Sequence, residues 1–193
     1  MEILNVKKFG PLARYSDPHL FLTMDALYRD GRVGRKGLLG EVGLGEGSMR
    51  SVLAILRDWR WVDVRQTGVM LTDLGRTSFA GFNMTFVDVG DGGYGVGPCT
   101  KGILVKGASA DVTNPMAVRD TAIRNGAKGA VVFVMDGGRV TLPPHGDVYQ
   151  PDPEFAETLK HHGMGDGDVL VLVGASSPLA ARLAAAAVGL AIR

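Results

Sequence analysis

With 193 residues, 46% of them hydrophobic and 21% charged, the chain can bury one large core or two modest ones and is too apolar to be predominantly disordered. Its single cysteine, Cys99, excludes an internal disulfide and no Cys/His cluster has zinc-finger spacing, so packing alone must hold the fold, and a cytoplasmic setting with no metal is expected. The net charge is only +1, but 12 basic against 9 acidic residues up to Phe82 and 9 against 11 beyond it direct any polyanion partner to the first part of the chain.

No signal-peptide pattern opens the sequence, and its most apolar stretch, Leu183 to Ile192, is too short to span a bilayer, so no membrane partner is expected. Helical spacing runs from Asp17 to Phe82 with one strand-rich interruption, and from Asn83 short β-type runs alternate with helical ones. Two domains are expected, residues 1–82 and 83–193. Four helix starts pair a cap residue with a proline: Asp17-Pro18, Asn114-Pro115, Asp152-Pro153 and Ser177-Pro178. The cap oxygen accepts an otherwise unpaired backbone N–H, and proline at the first helical position loses no hydrogen bond. Gly31, Gly126 and Gly163 are placed to close helices in the left-handed conformation.

After the first helix, Arg35 to Val42 reads as a second, Gly43-Leu44-Gly45 as a tight turn and Glu46 to Asp58 as a third, which is helix-turn-helix order. Met49, Val52, Leu53 and Leu56 recur at i, i+3, i+4 and i+7 and face a core, which turns Gly47, Arg50, Ser51 and Ala54 outward. Trp61 to Arg65 and Val69 to Thr72 read as strands joined at Gln66-Thr67-Gly68, a hairpin that would form a wing, with a helix from Thr72 to Ala80 behind it. Trp59 and Trp61, flanking Arg60, read as core residues in preference to a stacking platform for bases.

The run GEGSMRSVLAILRDWRWVDV, then LTDLGR, closely resembles the winged helix of archaeal transcription regulators, in which leucines pack the core and an LT..G pattern begins the helix after the wing. The resemblance covers Asp17 to Phe82. It implies that the third helix enters a major groove of double-stranded DNA with Ser48, Arg50 and Ser51 near base edges or phosphates, while Arg35, Lys36, Arg57, Arg65 and Gln66 flank the backbone. The competing reading is a winged helix used for protein contact, its arginines merely solvated.

Beyond Phe82 the strands are expected at Met84 to Val89, Gly102 to Lys106, Ala130 to Met135, Arg139 to Leu142 and Val169 to Val173. Helices are expected from Pro115 to Asn125, Pro153 to His162 and Pro178 to Ile192, giving a small α/β sandwich. Val131 to Val134 and Val169 to Val173 are apolar throughout, as neighbouring central strands should be. The mixed fold class is therefore α+β and α/β, a winged helix-turn-helix followed by the sandwich.

The glycine-rich segment Gly90 to Gly97 is a loop without the Gly-Lys-Ser/Thr of a Walker A motif or the context of a dinucleotide fold; Asp91, Tyr94 and Gly95 are its candidate ligand residues, with Tyr94 placed to cover a ring. Gly174-Ala175-Ser176-Ser177 ends an apolar strand and opens a helix, so Gly174, Ser176 and Ser177 are candidates for a small anionic metabolite, as is Asn114 at another helix start. Simple capping is the alternative for both. Asp88, Asp91, Asp111, His145 and Asp147 occupy loops or strand ends, and no catalytic residue or cofactor follows from them. Asp120 and Arg124 have the spacing of a surface ion pair, and the alanine-rich last helix suits close packing or a homodimer.

The segment VRDTAIRNGAKGAVVFVMDGG resembles a family of uncharacterised archaeal proteins in which a domain of unknown function follows a winged helix; no catalytic residue carries over. The function expected is a DNA-binding transcription regulator whose second domain senses a small molecule or holds a dimer. The alternatives are an enzyme with an accessory winged helix, in the domain order of the archaeal CTP-dependent riboflavin kinases, or an interaction module. The second half lacks those kinases' β-barrel motifs.

Overall fold

The structure, a computed structural model, describes residues 14–143, 146–147 and 152–193. The chain divides into two compact units, the first ending at Phe82 and the second running from Asn83 to Arg193.

The first unit runs α1 (Asp17–Asp30), β1 (Arg32–Val33), α2 (Arg35–Val42), α3 (Glu46–Asp58), β2 (Val62–Arg65), β3 (Gly68–Leu71) and α4 (Asp73–Ala80). Its three strands form an antiparallel sheet in the order β1-β3-β2. This is the element order of a helix-turn-helix with a hairpin behind it. The spacing of α3 translates directly into packing, since Met49, Val52, Leu53 and Leu56 are buried together with Leu20, Phe21 and Leu38. Phe21, Phe79 and Phe82 close the other end of this core through tilted and edge-on ring contacts of 5.1 to 6.2 Å.

Three local expectations change. Ser16, not Asp17, caps α1: its N–H donates to His19 Nδ1 at 3.1 Å, leaving Asp17 in the first turn and Pro18 one position further in. Burial lowers the His19 pKa. Gly68 belongs to β3 and leaves a two-residue turn at Gln66-Thr67. The cause is its pairing with Arg65 across the hairpin; it is glycine because strand β1, which the sequence did not announce, brings the Val33 carbonyl oxygen to 3.0 Å of where a Cβ would lie. Trp59 and Trp61 are half-buried and pack edge-on against each other, with ring centroids 4.9 Å apart, at the margin of the core.

The LT..G pattern has a physical cause here. Thr72 caps α4 by accepting the Gly75 N–H at 3.0 Å while donating to the Arg60 carbonyl at 2.7 Å, so the helix start docks on the chain entering β2. A Cβ on Gly75 would sit 2.0 Å from the Trp61 carbonyl oxygen, which only glycine avoids.

The second unit contains β4 (Met84–Val87), β5 (Cys99–Val105), α5 (Pro115–Arg124), β6 (Ala127–Asp136), β7 (Arg139–Leu142), β8 (Gly146–Asp147), α6 (Pro153–His161), β9 (Val169–Ala175) and α7 (Pro178–Ile192). The sheet order is β4-β5-β9-β6-β7-β8 and every pairing is antiparallel, so the layers are α+β rather than built from parallel crossovers. β9 lies between β5 and β6, with Val131 opposite Leu172 and Val134 opposite Val169. Its unbroken apolar run follows from cover on both faces: Leu170 and Leu172 join Phe133, Phe155 and Leu159 on one side, and α7 packs on β5 and β9.

Asn114, Asp152 and Ser177 cap their helices as expected. The small residues of α7 are used inside the unit: Ala184 to Leu190 are buried, and a Cβ on Gly189 would meet the Met84 Cε at 2.7 Å. Asp120 and Arg124 form no ion pair; the Arg124 guanidinium donates to Thr121 Oγ1 at 3.2 Å, one residue nearer along the helix.

Candidate nucleic-acid interface

The start of α2, one stripe of α3 and the middle of β2 enclose an open groove of about 420 Å³. Arg35 and Lys36 stand at its α2 edge and Val64 on the strand. Glu46, Arg50, Ala54 and Arg57, at i, i+4, i+8 and i+11, fall within about 80° of one another around the helix axis and run along α3. Leu39, Met49 and Leu53 complete the lining. Arg35, Lys36, Arg50 and Arg57 are exposed and form no ion pair among the described residues. Asp30 and Glu41, the acids nearest to Arg35 and Lys36 in sequence, are engaged by Arg29, which bonds Asp30 at 2.8 Å and pairs with Glu41 at 3.3 Å, contacts that raise its pKa, the Asp30 bond foremost. Glu46 is the one acid that lines the groove.

The remaining expected contacts are placed differently. Ser48 lies about 160° around α3 from Arg50 and does not line the groove. Ser51 is exposed, and its hydroxyl donates to the Gly47 carbonyl at 3.2 Å. Arg65 bonds Asp63 at 2.7 Å, a surface pair of roughly 0–1 kcal/mol that a phosphate can displace. Gln66 is exposed in the turn between β2 and β3. Sequence reasoning missed Leu39, Glu46 and Val64 as neighbours of the basic residues. The stripe from Glu46 to Arg57 was available as a signal, but the approach of β2 to it was not.

In the second unit, the candidate ligand residues have structural tasks. The backbone of Val96 and Gly97 lies on a notch made by Gly129 and Gly174, which face each other across β6 and β9; a Cβ on Gly174 would meet the Val96 carbonyl oxygen at 2.2 Å. Gly174 is glycine for that close approach. Ser177 Oγ accepts the Ala180 N–H at 3.2 Å, and Ser176 is exposed beside it. Asn114 Oδ1 accepts from Met116 at 3.0 Å and from Ala117 at 3.3 Å. Tyr94 does not present a free ring: it packs on Phe133 and Phe155 with centroids 5.1 and 5.3 Å away, and burial, then the charge of Asp152, raises its pKa. Asp91 Oδ1 accepts the Gly93 N–H at 3.1 Å, and Gly95 has φ +61 and open space around it.

Among the described residues, Asp88, Asp91 and Asp111 have separate surroundings. Asp88 pairs with Lys101 at 2.6 Å, and Asp111 lines a separate recess of about 160 Å³ between α5 and α7. His145 and the side chain of Asp147 lie outside the described residues. Among the described residues no group of three or more His, Cys, Asp or Glu is placed to hold a metal ion, and no helix is long and apolar enough to cross a membrane.

A family model described as Domain of unknown function (DUF4443) matches residues 96–192, just over half of the chain. The chain belongs to this family. The matched region of this DUF4443 member begins at Val96, in the loop seated on Gly129 and Gly174, and ends in α7. Among solved structures, the hypothetical protein PH0730 from Pyrococcus horikoshii OT3 is similar, with a TM-score of 0.71 and 24% sequence identity over 91% of each chain. That likeness establishes a shared fold. No curated protein matches the chain.

Proposed function

We propose that this protein is a DNA-binding transcription regulator, its first unit a winged helix that lays α3 in the major groove. The observation that carries the reading is the unpaired basic set Arg35, Lys36, Arg50 and Arg57 arrayed around a helix whose opposite side is locked into the core by Val52 and Leu56. Rigid support matters because a base-reading side chain discriminates only if its helix is held in place. The hairpin β2–β3, tipped by Gln66, supplies the wing.

The test is a fluorescence-anisotropy titration of labelled duplex DNA at several salt concentrations. Arg57→Ala is expected to weaken binding to all sequences and to lower the salt slope by about 1, as for a phosphate contact. Arg50→Ala is expected to cost about 1–3 kcal/mol on a preferred site, selected from random duplexes, and less on random DNA. Binding that neither substitution changes would remove α3 from the interface.

Pairing of two copies completes the proposal, and α5 supports it better than α7. Met116 and Ile123 are 59% and 40% exposed, seven residues apart on one face of α5. A dimer mass in light scattering, converted to monomer by Met116→Glu with Ile123→Glu, is the expected result; a monomer mass for the unaltered chain contradicts it.

A further inference from the structure

The groove beside α3 has an interior that DNA does not explain. Phosphates and base edges can satisfy Arg35, Lys36, Arg50 and Arg57, but Leu39, Ala54 and Val64 line the same space half-buried over Met49 and Leu53, and these offer a polar duplex no hydrogen bond. The four basic side chains line the same groove and are exposed, as long chains with an apolar stem and a solvated charged end usually are. At about 420 Å³ the space falls within the roughly 300–1,000 Å³ of small-molecule sites, which are apolar with a few convergent polar groups. Four cations face one acid, Glu46, so the complementary ligand carries negative charge at one end and hydrocarbon at the other.

We propose that this groove binds an amphipathic anion, an apolar chain ending in a phosphate or carboxylate, and that the ligand displaces DNA. The chain covers Leu39, Ala54 and Val64, and the head group bonds the guanidinium groups of Arg50 and Arg57. The displacement rests on the DNA-binding reading, because the same two arginines serve both partners; ligand binding itself does not.

Calorimetric titration of the full chain with dodecyl phosphate below its micelle concentration tests the site, with inorganic phosphate and dodecyltrimethylammonium as the other arms. Saturable binding of one dodecyl phosphate per chain, far tighter than inorganic phosphate and absent for the cationic detergent, is expected. Ala54→Leu fills the groove with a residue of high helix propensity and is expected to weaken dodecyl phosphate binding roughly tenfold or more while the thermal midpoint stays near that of the parent. Arg50→Ala with Arg57→Ala should weaken it as well. Equal affinity for dodecyl phosphate and inorganic phosphate, or an unaffected Ala54→Leu variant, overturns the site. In a separate titration, dodecyl phosphate should release labelled duplex from the parent chain. Duplex that stays bound at saturating dodecyl phosphate contradicts displacement alone, and a chain that binds dodecyl phosphate but no duplex sinks the DNA reading and leaves the ligand site standing.

Discussion

Gly174→Ala is expected to destabilise the second unit by about 3 kcal/mol or more, above the usual range for overpacking. The added methyl would lie 2.2 Å from the Val96 carbonyl oxygen and 2.6 Å from the Gly97 nitrogen, and both are backbone atoms that no rotamer change can move. Relief requires lifting the loop off β6 and β9, which opens the core cluster where Val96 packs with Phe133 and Phe155. Ser176→Ala, two residues on at an exposed position, is the control and should be nearly neutral. Urea denaturation followed by far-UV circular dichroism measures both. An unchanged midpoint for Gly174→Ala would mean that the loop is not seated on the sheet.

Asp168→Ala is expected to cost about 2–3 kcal/mol, most of it from amides left without an acceptor. Asp168, just before β9, is 5% exposed; its carboxylate accepts from the Gly165 N–H at 2.7 Å, the Gly107 N–H at 2.8 Å and Lys106 Nζ at 2.8 Å. Lys106 is half exposed and is solvated when its partner goes, so the ion pair adds little to this figure. Lys106 also donates to the Gly163 carbonyl, so the carboxylate and its lysine tie the turn after α6 to the end of β5, where the Lys106 carbonyl separately accepts from Arg193. Burial alone would raise the Asp168 pKa, but the bonds from Lys106, Gly165 and Gly107 together with the lysine charge hold it below its ordinary 3.8. A depressed carboxylate stabilises the fold above its unfolded pKa and loses that contribution as pH falls through the lower folded value. The stability gap between parent and Asp168→Ala should therefore be full at neutral pH and narrow below pH 3.8. A gap that widens under acid would contradict the assignment.

What the sequence discloses depends on how local the cause is. α2, α3, β7 and α7 run between the residues expected, because caps, glycines and apolar spacing are written within each element. β1 is only Arg32–Val33 and exists through its pairing with β3, which no local pattern announces. Cys99 to Lys101 extend β5 into what reads as the end of a glycine loop, since their partners on β9 lie more than seventy residues away. The direction of the sheet strands is likewise a tertiary property. Of the candidate interface, the outward arginines of α3 were legible by periodicity; the groove was not, because Leu39, Ala54 and Val64 come from three elements. The Asp63–Arg65 pair was legible in principle, since residues two apart on a strand share a face.

The central claim, that α3 and its basic surroundings receive a DNA duplex, is tested most directly by following backbone amide resonances of the full chain as duplex DNA is added. Shifts concentrated at Arg35, Lys36, the α3 residues from Gly47 to Arg57 and the turn at Gln66, with the second unit largely unmoved, are the predicted result. Shifts confined to residues beyond Asn83, or none at concentrations that saturate the anisotropy signal, would contradict it.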